Sequence, residues 1–130
     1  MNSESTRLLS SLCDILIATP GRLLDHLRQS SLPSKLTSLR TIVYDEADRL
    51  LDQGFKPELD AISTFLPPKE GRQALLFSAT VSEEVKKIAK GVLRAGYTFV
   101  STLREGEVNT HEHGAFPIYL FIFLPVVISC

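Results

Sequence analysis

Three carboxylates, Asp45, Glu46 and Asp48, follow directly on the apolar run Thr41-Ile-Val-Tyr44. A short apolar run bounded by polar residues reads as a buried strand of a parallel sheet. In open α/β sheets the reactive groups collect at the carboxyl ends of such strands, where Asp45 and Glu46 stand. A carboxylate in that place suits a hard cation such as Mg²⁺, held through water and the phosphates of a bound nucleotide. Its neighbour can orient or deprotonate an attacking water.

Two further groups repeat the arrangement. The run Ala74-Leu-Leu-Phe77 ends in Ser78-Ala-Thr80, which puts hydroxyls after a strand. The run Cys13-Asp-Ile-Leu-Ile-Ala18 ends in Thr19-Pro-Gly-Arg22. There Thr19 can cap a helix whose first position is Pro20, and a helix N-terminus beside an arginine is a natural phosphate site. Each has a plainer reading. Thr80 and Glu83 have the spacing of a capping box, and Thr19–Arg22 has that of an ordinary strand-to-helix turn.

The elements that must position these groups follow from periodicity. Leu23, Leu24 and Leu27 share one face of a short helix after Thr19, and Gly54 stops a helical turn that begins near Asp48. Pro57 opens a helix carrying Leu59, Ile62 and Leu66, ended by Pro67 and Pro68. A helix over 82–93 presents Val85, Ile88, Ala89, Val92 and Leu93 as one stripe, closed by Gly96, and Tyr97–Val100 reads as a further strand. Alternating strands and helices define an α/β class with a mostly parallel sheet. Right-handed crossovers would line up Thr19–Arg22, Asp45–Asp48 and Ser78–Thr80 along one crevice.

At 44% hydrophobic and 22% charged residues the composition is that of a folded domain. A formal net charge of −1 excludes a global basic field, so a nucleic-acid contact has to be a local patch. Cys13 and Cys130 form no CxxC pair, and the polar first residues show neither a secretory nor an arginine-rich targeting pattern, which suits a reduced compartment.

With the three groups in order, the chain resembles the DEAD-box ATP-dependent RNA helicases. Asp45-Glu-Ala-Asp48 matches the family's Walker-B motif, Ser78-Ala-Thr80 its SAT motif, and Thr19-Pro-Gly-Arg22 its RNA-backbone motif. The resemblance implies part of a RecA-like, P-loop NTPase-type three-layer domain that uses ATP and Mg²⁺. It implies that Asp45 holds Mg²⁺ through water and that Glu46 activates the attacking water. Asp48, Ser78 and Thr80 would couple nucleotide state to a second RecA-like domain. Thr19, Pro20, Gly21 and Arg22 would grip the RNA backbone without regard to sequence, with Gly54 and Phe55 near the RNA path, although core packing is the plainer role for Phe55. No DNA or membrane partner is expected. The run from Tyr97 to His113 most resembles fungal mitochondrial members, which points to the mitochondrion, with nucleus, nucleolus or cytoplasm as the alternative.

Departures from the family pattern set further expectations. The resemblance covers residues 12–113, after a polar segment 1–11. No G-x-x-x-x-G-K-[ST] occurs in the 130 residues, and the second domain with its arginine finger has no counterpart. The chain by itself is therefore expected to be a fragment that hydrolyses ATP poorly or not at all, its alternative role being a regulatory RNA-binding remnant. His111 and His113 could bind a metal on one side of a strand, but no third ligand is evident and the resemblance places them in an interdomain linker. Residues 114–130 are almost wholly apolar and depart from the family. They fall short of the roughly 20 residues that a spanning helix needs and are broken by Pro117 and Pro125. A translated stretch of unrelated origin is the expectation.

Overall fold

Thr41–Tyr44 forms strand β1, as its β-branched and aromatic residues favour, and pairs in parallel with β2, Gln73–Leu76. The register sets Thr41 opposite Gln73 and Tyr44 opposite Leu76, so both strands end level at one edge. The computed structural model describes residues 15–101. Among them these two strands make the whole sheet.

Among the described residues five helices accompany the pair. Helix α1, Pro20–Gln29, is followed by the short α2, Leu32–Lys35, and by a 3₁₀ turn over Leu36–Ser38 that leads into β1. Helices α3, Ala47–Asp52, and α4, Lys56–Ser63, make the crossover to β2, and α5, Glu83–Val92, follows it. Helix α1 packs against α4, and α3 against α5. Leu23, Leu27, Ile42, Tyr44, Leu50, Ile62 and Ile88 belong to one buried core. Ile42 is wholly inaccessible at the middle of β1.

Gly54 is required by the turn it makes. Its φ of +80° is the left-handed conformation that glycine adopts without penalty. Its N–H donates to Leu51 and that of Phe55 to Leu50, the paired bonds that satisfy a helix's last carbonyls. Phe55 packs against the core, the accompanying apolar contact.

Three expectations are corrected. Residues 15–18, the described part of the strand expected over Cys13–Ala18, lie outside the sheet. Leu16 and Ala18 pack against the core while Ile15 and Ile17 are exposed, so this stretch is covered on one side and is not a strand buried on both. Tyr97–Val100 is likewise no strand, and Tyr97, Phe99 and Val100 are exposed. Helix α5 ends in the extended Leu93 rather than at Gly96, whose φ of +74° belongs to the next turn. Cys13, Cys130, His111, His113 and the apolar residues 114–130 lie outside the described residues. No helix among the described residues is long and apolar enough to cross a membrane.

Candidate functional site

Beyond the last paired residues, the two strands remain tied by their backbones. The Phe77 N–H donates to the Tyr44 carbonyl at 2.8 Å, and the Ala47 N–H donates to the Phe77 carbonyl at 2.9 Å. This continuation carries Asp45–Asp48 and Ser78–Thr80 onto the same rim. There the Thr80 hydroxyl donates to Asp48 Oδ2 at 3.3 Å, joining residues 32 positions apart in sequence.

The plainer reading of Thr80, as the cap of the next helix, is overturned. The capping box with Glu83 does not form. Ser82 is the N-cap of α5, and its Oγ accepts the Val85 N–H at 3.2 Å. Both hydroxyls precede the acidic first turn, so either could have capped from sequence. The closer one does, which leaves Thr80 to face the acidic loop.

Within that loop each carboxylate has its own environment. Asp45 Oδ1 accepts the Glu46 N–H at 2.9 Å. Partial burial raises the Asp45 carboxyl above its ordinary value, the Glu46 N–H opposes the rise, and the charge of Glu46 adds to it. Glu46 stands at φ +48°, ψ +50°, the only described residue other than glycine with positive φ. An L-residue held in the left-handed region stores about 1–2 kcal/mol, and such strain collects at functional sites. The conformation helps turn the chain from β1 into α3 within the two residues Asp45 and Glu46. Glu46 Oε2 also meets Arg49 Nη1 at 3.3 Å, an exposed pair of small energetic weight. Asp48 stands in the first turn of α3, favourably placed for the helix dipole.

Ser78 Oγ is buried at this rim without a hydrogen-bond partner. A buried hydroxyl without a partner is rare in a folded protein and marks a place where a further polar group can be accommodated. No group of three or more His, Cys, Asp or Glu among the described residues could hold a metal. Mg²⁺ needs no such cage, because it keeps several waters and takes one or two carboxylates together with phosphates.

The third expected group opens another helix. Thr19 is the N-cap of α1 through its backbone, its carbonyl accepting the Leu23 N–H at 2.9 Å, and its side chain makes no cap bond. Pro20 is buried at the first helical position, and a Cβ added at Gly21 would meet nothing within 4 Å. Helix α1 packs against α4 and α2, so Thr19–Arg22 is anchored through the helical layer. The structure thus joins Asp48 and Thr80 directly and holds Thr19–Arg22 on a separate element. Gly54 and Phe55 close α3, with Phe55 turned to the core.

Sequence reasoning missed a buried arginine. Arg72, 4% exposed, stands just before β2, and its Nε donates to the Pro67 carbonyl at 3.0 Å. Its positive charge also acts on the phenol of Tyr44, the residue before Asp45. Burial raises the Tyr44 phenol, and Arg72 partly offsets this. No pattern in the sequence marks an arginine for burial. The Glu46–Arg49 pair, by contrast, was readable from its i,i+3 spacing.

An α/β layer with acidic and hydroxyl loops at one carboxyl rim, built on a parallel sheet, is part of a RecA-like domain. The family model for DEAD/DEAH box helicases matches residues 1–88, and the chain belongs to that family. It is 45% identical over 110 residues to DEAD-box ATP-dependent RNA helicase 26 of Oryza sativa subsp. japonica, covering 84% of this chain and 20% of that protein. It is 42% identical over 111 residues to the mitochondrial ATP-dependent RNA helicase mss116 of Aspergillus oryzae, covering 85% of this chain and 18% of that one. The crystal structure of the yeast DEAD-box splicing factor Prp28 superposes with a TM-score of 0.57 at 34% identity, over 72% of this chain and 22% of that one. The chain therefore spans about a fifth of the relatives it matches.

Proposed function

We propose that these residues form the hydrolysis-and-coupling rim of an ATP-dependent RNA helicase. The observation that carries the proposal is the Thr80–Asp48 hydrogen bond at the ends of adjacent parallel strands. It ties the acidic loop to the hydroxyl loop, so a change at one is felt at the other. Asp45 is the carboxylate that would hold Mg²⁺ through water, and Asp48 is already engaged by Thr80. Bound Mg²⁺ supplies charge neutralisation on the nucleotide phosphates. Glu46, held at the turn by its left-handed backbone, is the group that orients the attacking water and takes its proton. Ser78, with its hydroxyl buried and unpartnered, completes the coupling set.

RNA is the polymer partner in this reading. Thr19, Pro20, Gly21 and Arg22 contact its backbone, and the open space around Gly21 lets a sugar-phosphate chain come close. Gly54 and Phe55 flank that path and serve it by shaping the end of α3. Similarity to a mitochondrial relative supports the mitochondrion as the site of action.

A second reading concerns the 130 residues acting alone. They contain no G-x-x-x-x-G-K-[ST] cradle, and this favours a noncatalytic RNA-binding role for the chain in isolation. Two measurements on the purified chain test these readings. Fluorescence anisotropy with single-stranded RNA of several sequences should show salt-sensitive binding of similar strength, weakened by Arg22→Ala. Sequence-selective binding, or binding that ignores Arg22→Ala, contradicts the assignment of the RNA grip. RNA-stimulated ATP hydrolysis should not exceed that of Glu46→Gln, and clear turnover lost in that variant would refute the noncatalytic reading.

A further inference from the structure

Glu46 is the N-cap of α3, a position whose side chain ordinarily folds back onto the N–H of the second or third helical residue. Its carboxylate makes no such bond. Two of the first N–H groups of α3 are engaged by other acceptors. Ala47 donates to the Phe77 carbonyl at 2.9 Å, and Arg49 donates to Asp48 Oδ1 at 3.0 Å. With its backbone in the left-handed region, Glu46 brings Oε2 to Arg49 Nη1, 3.3 Å away. Arg49 thus meets two carboxylates of the acidic loop, Asp48 through its backbone and Glu46 through its side chain.

These bonds join end to end. The Thr80 hydroxyl donates to Asp48 Oδ2, Asp48 Oδ1 accepts the Arg49 N–H, and the Arg49 guanidinium donates to Glu46 Oε2. An ionised carboxylate accepts through both of its oxygens, and here one serves the hydroxyl loop and the other Arg49. Asp48 cannot turn toward or away from Thr80 without moving the oxygen that the Arg49 N–H holds. The Arg49–Glu46 pair is exposed and adds little to stability, so its consequence lies in where it holds the Glu46 carboxylate.

We propose that Arg49 is a positioning residue of the rim, a role that rests on Glu46 being the group that orients the attacking water. Its guanidinium holds the Glu46 carboxylate clear of the α3 N–H groups, and its link to Asp48 carries the state of the Thr80 loop to that carboxylate. Arg49 touches no reacting atom itself. A planar, permanently charged fork suits the task better than the compact, freely rotating ammonium of a lysine.

The test reads side-chain carboxyl carbons by nuclear magnetic resonance in the isotopically labelled full chain, with Thr80→Val as the perturbation. Asp48 Cγ shows whether the hydroxyl loop reaches the acidic loop, and Glu46 Cδ shows whether the effect travels on. Arg49→Met keeps an unbranched stem and loses the charged fork, whereas Arg49→Lys keeps a positive donor. The Arg49 side chain is exposed, so both changes spare the core, and both retain the backbone N–H that holds Asp48. Thr80→Val is expected to displace both resonances. Arg49→Met should abolish the displacement at Glu46 and keep that at Asp48, and Arg49→Lys should restore part of what is lost. A displacement at Asp48 with none at Glu46, or one at Glu46 equally large in the Arg49→Met chain, would overturn the role of Arg49 and leave the rim standing. No displacement at either carboxyl would overturn the rim, and the role of Arg49 with it.

Discussion

Changing Thr80 to Val removes the hydroxyl that reaches Asp48 and keeps the shape of the side chain. A hydrogen bond to a charged acceptor contributes about 1.5–3 kcal/mol. The observed separation of 3.3 Å is long for a hydroxyl donor, and both groups are only partly buried, so about 1 kcal/mol is expected. Asp48 also has a favourable position in the first turn of α3 and accepts the Arg49 N–H, so its removal alone mixes several effects. A double-mutant cycle with Thr80→Val and Asp48→Ala isolates the shared part. Urea unfolding of the four chains should give a coupling energy of about 1 kcal/mol, with m-values unchanged. A coupling below about 0.3 kcal/mol would mean that the two loops do not sense each other, and the reasoning from this bond would fail.

Other perturbations test the rest of the account. Glu46→Gly should raise stability by about 0.5–1 kcal/mol, the relief of left-handed strain less the entropy of a glycine in the unfolded chain; a loss measured by urea unfolding would show that the turn is not strained. Ser82→Ala should cost about 1 kcal/mol and reduce the helical circular dichroism of α5, whereas Thr80→Val should leave that signal unchanged; the reverse order would restore Thr80 as the cap. Burial raises the Tyr44 phenol above 10.0, so its stabilising contribution is complete below that pH and is lost as pH rises through the higher folded value. Stability should therefore fall in strongly alkaline solution, and Tyr44→Phe should flatten the fall. A Tyr44→Phe chain with an unchanged alkaline limb would contradict that assignment.

Much of the site was legible because its parts are local. Thr41–Tyr44 and the run ending at Phe77 declare themselves as strands, and the polar residues that follow them must arrive at one edge once the strands are parallel. Pro57, Gly54 and the stripe from Val85 to Ile88 fix three helices in the same way. Cys13–Ala18 and Tyr97–Val100 have strand composition too, but a strand exists only where a partner ladder accepts it. Among the described residues β1 and β2 pair with each other alone. Which hydroxyl caps α5 turned on a difference of two residues that pattern cannot resolve. The burial of Arg72 was invisible for another reason, since it depends on the turn that brings the Pro67 carbonyl within reach of its Nε.

The central claim is that the acidic loop and the hydroxyl loop share one rim of a parallel strand pair. Amide exchange and cross-strand nuclear Overhauser effects on the isotopically labelled chain test it most directly. The account predicts slowly exchanging amides at Phe77 and Ala47, contacts that pair Ile42 with Ala74 and Tyr44 with Leu76, and proximity of Thr80 to Asp48. Rapid exchange at both amides together with a shifted or antiparallel register would separate the two loops and contradict it.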